Sequence, residues 1–217
     1  MQGGARAAAR CVGKRRDAHG ARPDYDKPML MRIIGPDEPS AWRDGGRGET
    51  IRWTVAASAL GPMLLAATAK GICRLSFDED EQALRRIFPN ATLVEDDGSM
   101  ARLVAGAVAA VERPLEAPDL PLDVAGTAFQ EAVWRELRSI PPGETRSYAQ
   151  IAAAVGKPGA VRAAGSANGS NHVAVLIPCH RVVRSDGRLG GYAGGLERKR
   201  RLLEAEARSA AQGRLLL

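Results

Sequence analysis

Pro178-Cys179-His180-Arg181 sets a thiol beside an imidazole and a guanidinium. The thiolate is the reactive form of cysteine, and cationic or proton-accepting neighbours are what bring a thiol to that form near neutral pH. The quartet therefore reads as a nucleophile, with Pro178 restricting the backbone ahead of it. A base needs a group to orient it, and Glu206 is the candidate. It falls three and four residues after Leu203 and Leu202 in a helical C-terminal stretch, which puts its carboxylate on the apolar side. Hydrogen bonded to His180, it fixes the imidazole tautomer and favours proton acceptance from Cys179, directly or through water. The alternative is a solvated helix-end acid like Glu204. Neighbouring side chains diverge along an extended backbone, which argues against the direct Cys–His pair of an acyl-transferring hydrolase.

Several elements must position these groups. Residues 173–177 are a continuous apolar run of the kind a buried strand shows, so Cys179 is expected where a strand ends. Thr127-Ala-Phe-Gln130 and Ser147-Tyr-Ala-Gln150 are capping boxes that open helices; Pro141-Pro142 ends the first and Gly156-Lys-Pro-Gly159 the second. Another helix over about residues 160–168 completes a helix-turn-helix layout. Nearly every side chain on that helix is small, Arg162 being the long exception. Such a helix either lies against the minor groove of DNA, where arginine is a favoured inserted side chain, or packs tightly inside the fold.

Upstream, residues 51–55, 63–68 and 72–77 read as short strands of a small antiparallel sheet, with turns at Gly61-Pro62 and Lys70-Gly71. Helices follow over 79–88 and 99–113, each stopped by a proline. The fold class is thus α/β: a small N-terminal α/β domain at 51–118, a linker at 119–126, and a mainly helical domain at 127–208. Residues 1–50 hold eight glycines and four prolines without an apolar period and read as an unpacked tail; 209–217 read as a C-terminal tail. No run approaches the roughly 20 apolar residues of a membrane span. Three widely spaced cysteines, Cys11, Cys73 and Cys179, form neither a disulfide framework nor a zinc pattern, which fits a reduced cytoplasm. The net charge of +6 divides unevenly: +3 over residues 1–50, −4 over 51–126 and +7 over 127–217. A basic C-terminal segment suits a polyanion as partner, or is a solvated surface.

From Ile51 to Arg208 the chain resembles the O6-alkylguanine-DNA alkyltransferases, the methylated-DNA–protein-cysteine methyltransferases, and is especially similar to the C-terminal half of bacterial Ada. Pro178-Cys-His-Arg-Val182 matches the active-site motif; Gly126-Thr-Ala-Phe-Gln130, Ala160-Val-Arg-Ala163, Gly191-Tyr-Ala-Gly-Gly195 and the helix from Lys199 to Glu206 match in order. The resemblance implies a ribonuclease H-like first domain and irreversible transfer of an alkyl group from O6-alkylguanine, or from O4-alkylthymine, in double-stranded DNA. It makes Cys179 the acceptor, His180 its base through water, Glu206 the orienting acid and Asn171 a brace. Arg162 fills the stack when the base flips out, with Ala163 and Ser166 beside it on the DNA side. Tyr148 rotates the phosphate and binds the base, and Val182, Tyr192 and Ala193 wall the pocket. His172 stands where several relatives have proline. A thioether has no easy leaving group, so one turnover per molecule is expected, by a monomer, without cofactor or metal. The reading from another class is a lesion-sensing DNA-binding regulator that transfers nothing.

Overall fold

The computed structural model describes residues 32–33, 42 and 44–215. The strands are β1 (Arg32–Ile33), β2 (Thr50–Ala56), β3 (Met63–Thr68) and β4 (Gly71–Phe77). Helix α1 (Glu81–Ile87), β5 (Thr92–Glu95), α2 (Ala101–Glu112) and β6 (Asp123–Val124) complete the first half. The main sheet runs β4-β3-β2-β5, antiparallel except that β5 lies parallel to β2. Strand β3 is buried on both faces because its period of two feeds two cores. Met63, Leu65 and Ala67 face one core with Leu103 and Ala107 of α2, and Leu64 and Ala66 face the other with Leu84 and Phe88 at α1.

The sequence reading of β2, β3 and β4 holds within a residue or two, but β5 was not foreseen. Four residues, Thr92–Glu95, with no fully buried side chain give no alternation to read. The expected linker at 119–126 is corrected: Leu120, Leu122 and Val124 are buried and β6 pairs with β1. At Gly71 (φ 153°) a Cβ would lie 2.6 Å from the carbonyl carbon of Pro121, and the Ile72 amide donates to the Pro121 carbonyl at 2.9 Å. Only glycine lets the two backbones meet there. The expectation of an unpacked tail for 1–50 is also corrected where residues are described. Beside the β1–β6 pair, Trp42 packs on Phe88, and the Asp44–Gly46 turn is tied to Asn90, whose amide donates to the Gly45 carbonyl at 2.8 Å. Residues 1–31, 34–41 and 43, with Cys11 among them, lie outside the described residues.

The second half is α3 (Ala128–Arg138), β7 (Arg146–Ser147), α4 (Tyr148–Ala154), α5 (Val161–Gly169), β8 (Val182–Val183) and α6 (Leu196–Leu215). Both capping boxes form, at Thr127/Gln130 and Ser147/Gln150, each satisfying two amides that a helix start leaves bare. Helix α5 packs on α3 and α4, and the turn at 155–160 uses Gly156 at φ 74°. Helix α6 continues to Leu215, so residues 209–215 are helical rather than a tail. The larger core is continuous across both halves, joining Leu75 and Met100 to Trp134, Ile177 and Cys179. Among the described residues no helix is long and apolar enough to cross a membrane.

Candidate active site

The segment leading to Cys179 is not the strand its apolarity suggested. Val173, Val175 and Ile177 are buried, but only Val173 bridges to a strand residue, Leu75, and the chain then turns, with Val175 at φ 70°. An apolar run reports burial and leaves the backbone period open. Asn171 supplies what a ladder would have supplied. Its Oδ1 accepts from the Val173 amide at 3.0 Å and its Nδ2 donates to the Ile177 carbonyl at 2.8 Å. The same Nδ2 lies 3.1 Å from Cys179 Sγ. The cysteine therefore opens a single 3-10 turn, Cys179–Arg181, rather than ending a strand.

Behind it His180 is fully buried, its Nε2 2.8 Å from Oε1 of Glu206, itself 2% exposed. Glu206 also accepts from the Arg181 guanidinium at 2.8–3.1 Å and from the Gly143 amide at 3.2 Å. Burial pushes the Glu206 carboxyl up, and the hydrogen bonds from His180 and Arg181 overturn that and hold it at about 2. Burial holds the His180 imidazole below its ordinary value despite Glu206, so the ring is neutral at neutral pH. With Nε2–H donated to an ionised carboxylate, Nδ1 keeps its lone pair. That buried Nδ1 has no partner among the described residues.

The thiol itself departs from expectation. Burial raises the Cys179 pKa above its ordinary value; the Asn171 hydrogen bond and the charge of Lys199 offset only part of this. At rest Cys179 is a thiol, because Arg181 faces Glu206 instead of sulfur and His180 is uncharged. Lys199 was missed in the sequence. It is fully buried, donates from Nζ to the carbonyls of Val182 (2.6 Å) and Gly191 (3.3 Å), and desolvation brings its pKa to about 8. Its signal was its spacing, three residues before Leu202 and seven before Glu206 on one helix face, hidden among solvated neighbours in Arg198-Lys-Arg-Arg201.

Cys179 opens on a pocket of about 390 Å³. Of the other expected site residues, Tyr148, Asn171, Tyr192 and Ala193 line it, joined by Asn168, which the sequence reading did not single out. The Tyr192 hydroxyl and Asn168 Oδ1 are buried without a partner among the described residues. Gly190 (φ 66°) lets its loop close on Tyr148, since a Cβ there would lie 2.9 Å from the tyrosine hydroxyl. Val182 does not line the pocket: it is buried beneath, anchored through its carbonyl to Lys199. Arg162, Ala163 and Ser166 lie on the exposed side of α5, and Ser166 returns its hydroxyl to the Arg162 carbonyl at 3.2 Å. Small residues thus keep α5 thin on its outer side as well as where it packs.

A sheet domain joined to a helical one, with a buried Cys–His–Glu array under a pocket beside two short helices, defines a two-domain protein built around one acceptor thiol. Comparison with known proteins makes this specific. The model of the 6-O-methylguanine DNA methyltransferase ribonuclease-like domain matches residues 51–124, and that of the DNA binding domain matches 128–208. The methylated-DNA–protein-cysteine methyltransferase of Methanosarcina barkeri is 43% identical over 154 residues, which cover 71% of this chain and 96% of that protein. The bifunctional transcriptional activator/DNA repair enzyme Ada of Escherichia coli is 44% identical over 170 residues, 76% of this chain but 48% of its own length. The chain thus spans about half the length of that relative. A crystal structure of the Mycobacterium tuberculosis O6-methylguanine methyltransferase superposes with TM-score 0.64 at 38% identity, covering 73% of this chain and 94% of that one. A structure from the same organism in complex with DNA gives 0.63 at 39%, covering 74% and 94%. The chain belongs to the methylated-DNA–protein-cysteine methyltransferase family.

Proposed function

We propose that this chain repairs O6-alkylguanine in double-stranded DNA by moving the alkyl group irreversibly to Cys179. The observation that carries the reading is the His180–Glu206 hydrogen bond behind a thiol at the floor of a pocket, which leaves Nδ1 of a neutral imidazole as the proton acceptor. The Cys179 proton passes to Nδ1, through a water, as Glu206 stabilises the forming imidazolium. Sulfur attacks the alkyl carbon in line, the S–C bond forms and the C–O6 bond breaks, and the electron pair stays with the base. The thiol proton ends on N1 of the restored guanine, so nothing else is consumed and no cofactor is required.

A thiol that is protonated at rest suits this task, since it is shielded from adventitious alkylation until a base fills the pocket. Base flipping assigns Arg162, on the exposed side of α5, to the vacated stack, with Ala163 and Ser166 permitting close approach. Tyr148 and Tyr192 bracket the base, and Lys199 stabilises the developing thiolate. All groups come from one chain, so a monomer suffices, and a reducing cytoplasm keeps Cys179 competent.

Intact-mass spectrometry after incubation with a duplex containing one O6-methylguanine tests the reading. The expected result is a single methyl on Cys179, at most one per molecule. An unmodified protein that still retains the duplex overturns transfer and leaves a lesion-sensing regulator. The same assay with O4-methylthymine and with bulkier O6 adducts defines the substrate range.

A further inference from the structure

Trp42 lies ahead of the first residue that either family model matches, yet it reaches the loop that holds the reactive cysteine. Its indole stacks on the His172 ring, with centroids 3.8 Å apart and planes at 20°. The same imidazole meets Trp134 edge-on, with centroids 5.8 Å apart and planes at 71°. Trp42 is itself held by other parts of the fold, and so is the turn that follows it. Its Nε1 donates to the Asp123 carbonyl in β6 at 3.0 Å, its ring meets Phe88 edge-on at 4.7 Å, and the turn that follows it is bonded to Asn90. Trp134 is fixed by its own Nε1, which donates to the Ala167 carbonyl of α5 at 2.8 Å.

His172 therefore joins the N-terminal segment to the helical domain through its contacts with Trp42 and Trp134. It directly follows Asn171, whose amide bonds Cys179 Sγ and closes the turn. The His172 carbonyl also receives the Leu75 amide at 3.1 Å, which fixes the loop to the sheet. Burial lowers the His172 pKa to about 4, so the ring is neutral and acts by packing rather than charge. Aromatic stacking of this kind adds energy and direction beyond area burial.

We infer that Trp42 is a positioning residue for the transfer: by clamping His172 it sets Asn171, and through Asn171 the aim of the Cys179 sulfur. The inference rests on alkyl transfer at Cys179. A thiol out of line by a fraction of an ångström loses rate without losing DNA, because the exposed residues proposed to meet DNA, Arg162, Ala163 and Ser166, are distinct from the Trp42–His172–Asn171 clamp.

The test uses the full chain and single-turnover transfer from an O6-methylguanine duplex, followed by intact mass over a range of DNA concentrations. For Trp42→Ala the saturating rate falls about tenfold, the half-saturating DNA concentration stays within about twofold, and Trp42→Phe recovers most of the rate. Should Trp42→Ala fail to fold by thermal melting, His172→Ala opens the same stack from the other side and is read identically. An unchanged saturating rate overturns the clamp. So does a loss of active protein that only matches the unfolded fraction, with normal kinetics in the remainder. Wild-type protein that transfers nothing overturns the functional reading instead.

Discussion

The sheet half and the helical half each bury a cysteine, and their surroundings differ. Cys73 sits on β4 in the smaller core, fully enclosed, its Sγ 3.5 Å from the Ala66 carbonyl. Burial pushes its thiol far up, and the charges of Asp123 and Glu49 push it further. Cys179 is nearly as enclosed but keeps 6% of its surface on a pocket, receives a hydrogen bond from Asn171, and has the Lys199 ammonium in its field. Of the buried polar or charged residues, Glu131, Asn168, His180, Lys199 and Glu206 belong to the helical half, against Thr68 and Asp123 before it. Burial makes a thiol inert; burial next to a partnered base, a cation and an opening is the setting proposed for transfer to Cys179.

The largest test of that contrast is Cys179→Ala, which abolishes transfer while duplex binding persists; a methyl appearing on Cys73 in this variant would break the comparison. Next is Glu206→Gln, which removes the carboxylate shared by His180 and Arg181. Transfer falls about 100-fold, and leaving the Arg181 charge poorly matched costs about 3 kcal/mol of stability in denaturant melts.

Acid sharpens the same difference. His172 and His180 are held below their ordinary value of 6.5, His172 at about 4, and Glu206 below its ordinary 4.5 at about 2. The unfolded chain binds protons in those windows that the folded chain refuses, so stability falls as pH drops from about 6.5 through 4 towards 2. Melting temperature against pH should show the fall, and Glu206→Gln should flatten its lower part. The smallest effect is Cys73→Ala, which costs about 1 kcal/mol by opening a small void and leaves the transfer rate unchanged.

Much of the site was legible because its chemistry is local. Cys179 and His180 are sequence neighbours, Glu206 announces itself by helical spacing, and the capping boxes at Thr127 and Ser147 are satisfied within four residues. Strand β3 was legible because an unbroken apolar run fits a strand with a core on each side. The same signal misled at 173–177, where Asn171 takes over the hydrogen bonds a sheet would have made.

The sequence by itself determined which residue types meet at the reactive turn, where most helices start, and which strands fill the cores, since each depends on contacts a few residues apart. Tertiary structure decided the protonation at rest, because burial is a property of the whole fold and here it outweighs the adjacent basic groups. It also decided that Arg181 serves Glu206, that Lys199 turns inward, that β1 and β6 close a pair across some ninety residues, and that Trp42 reaches His172. Those contacts join segments whose spacing carries no periodic signal, and only the packing of the two halves brings them together.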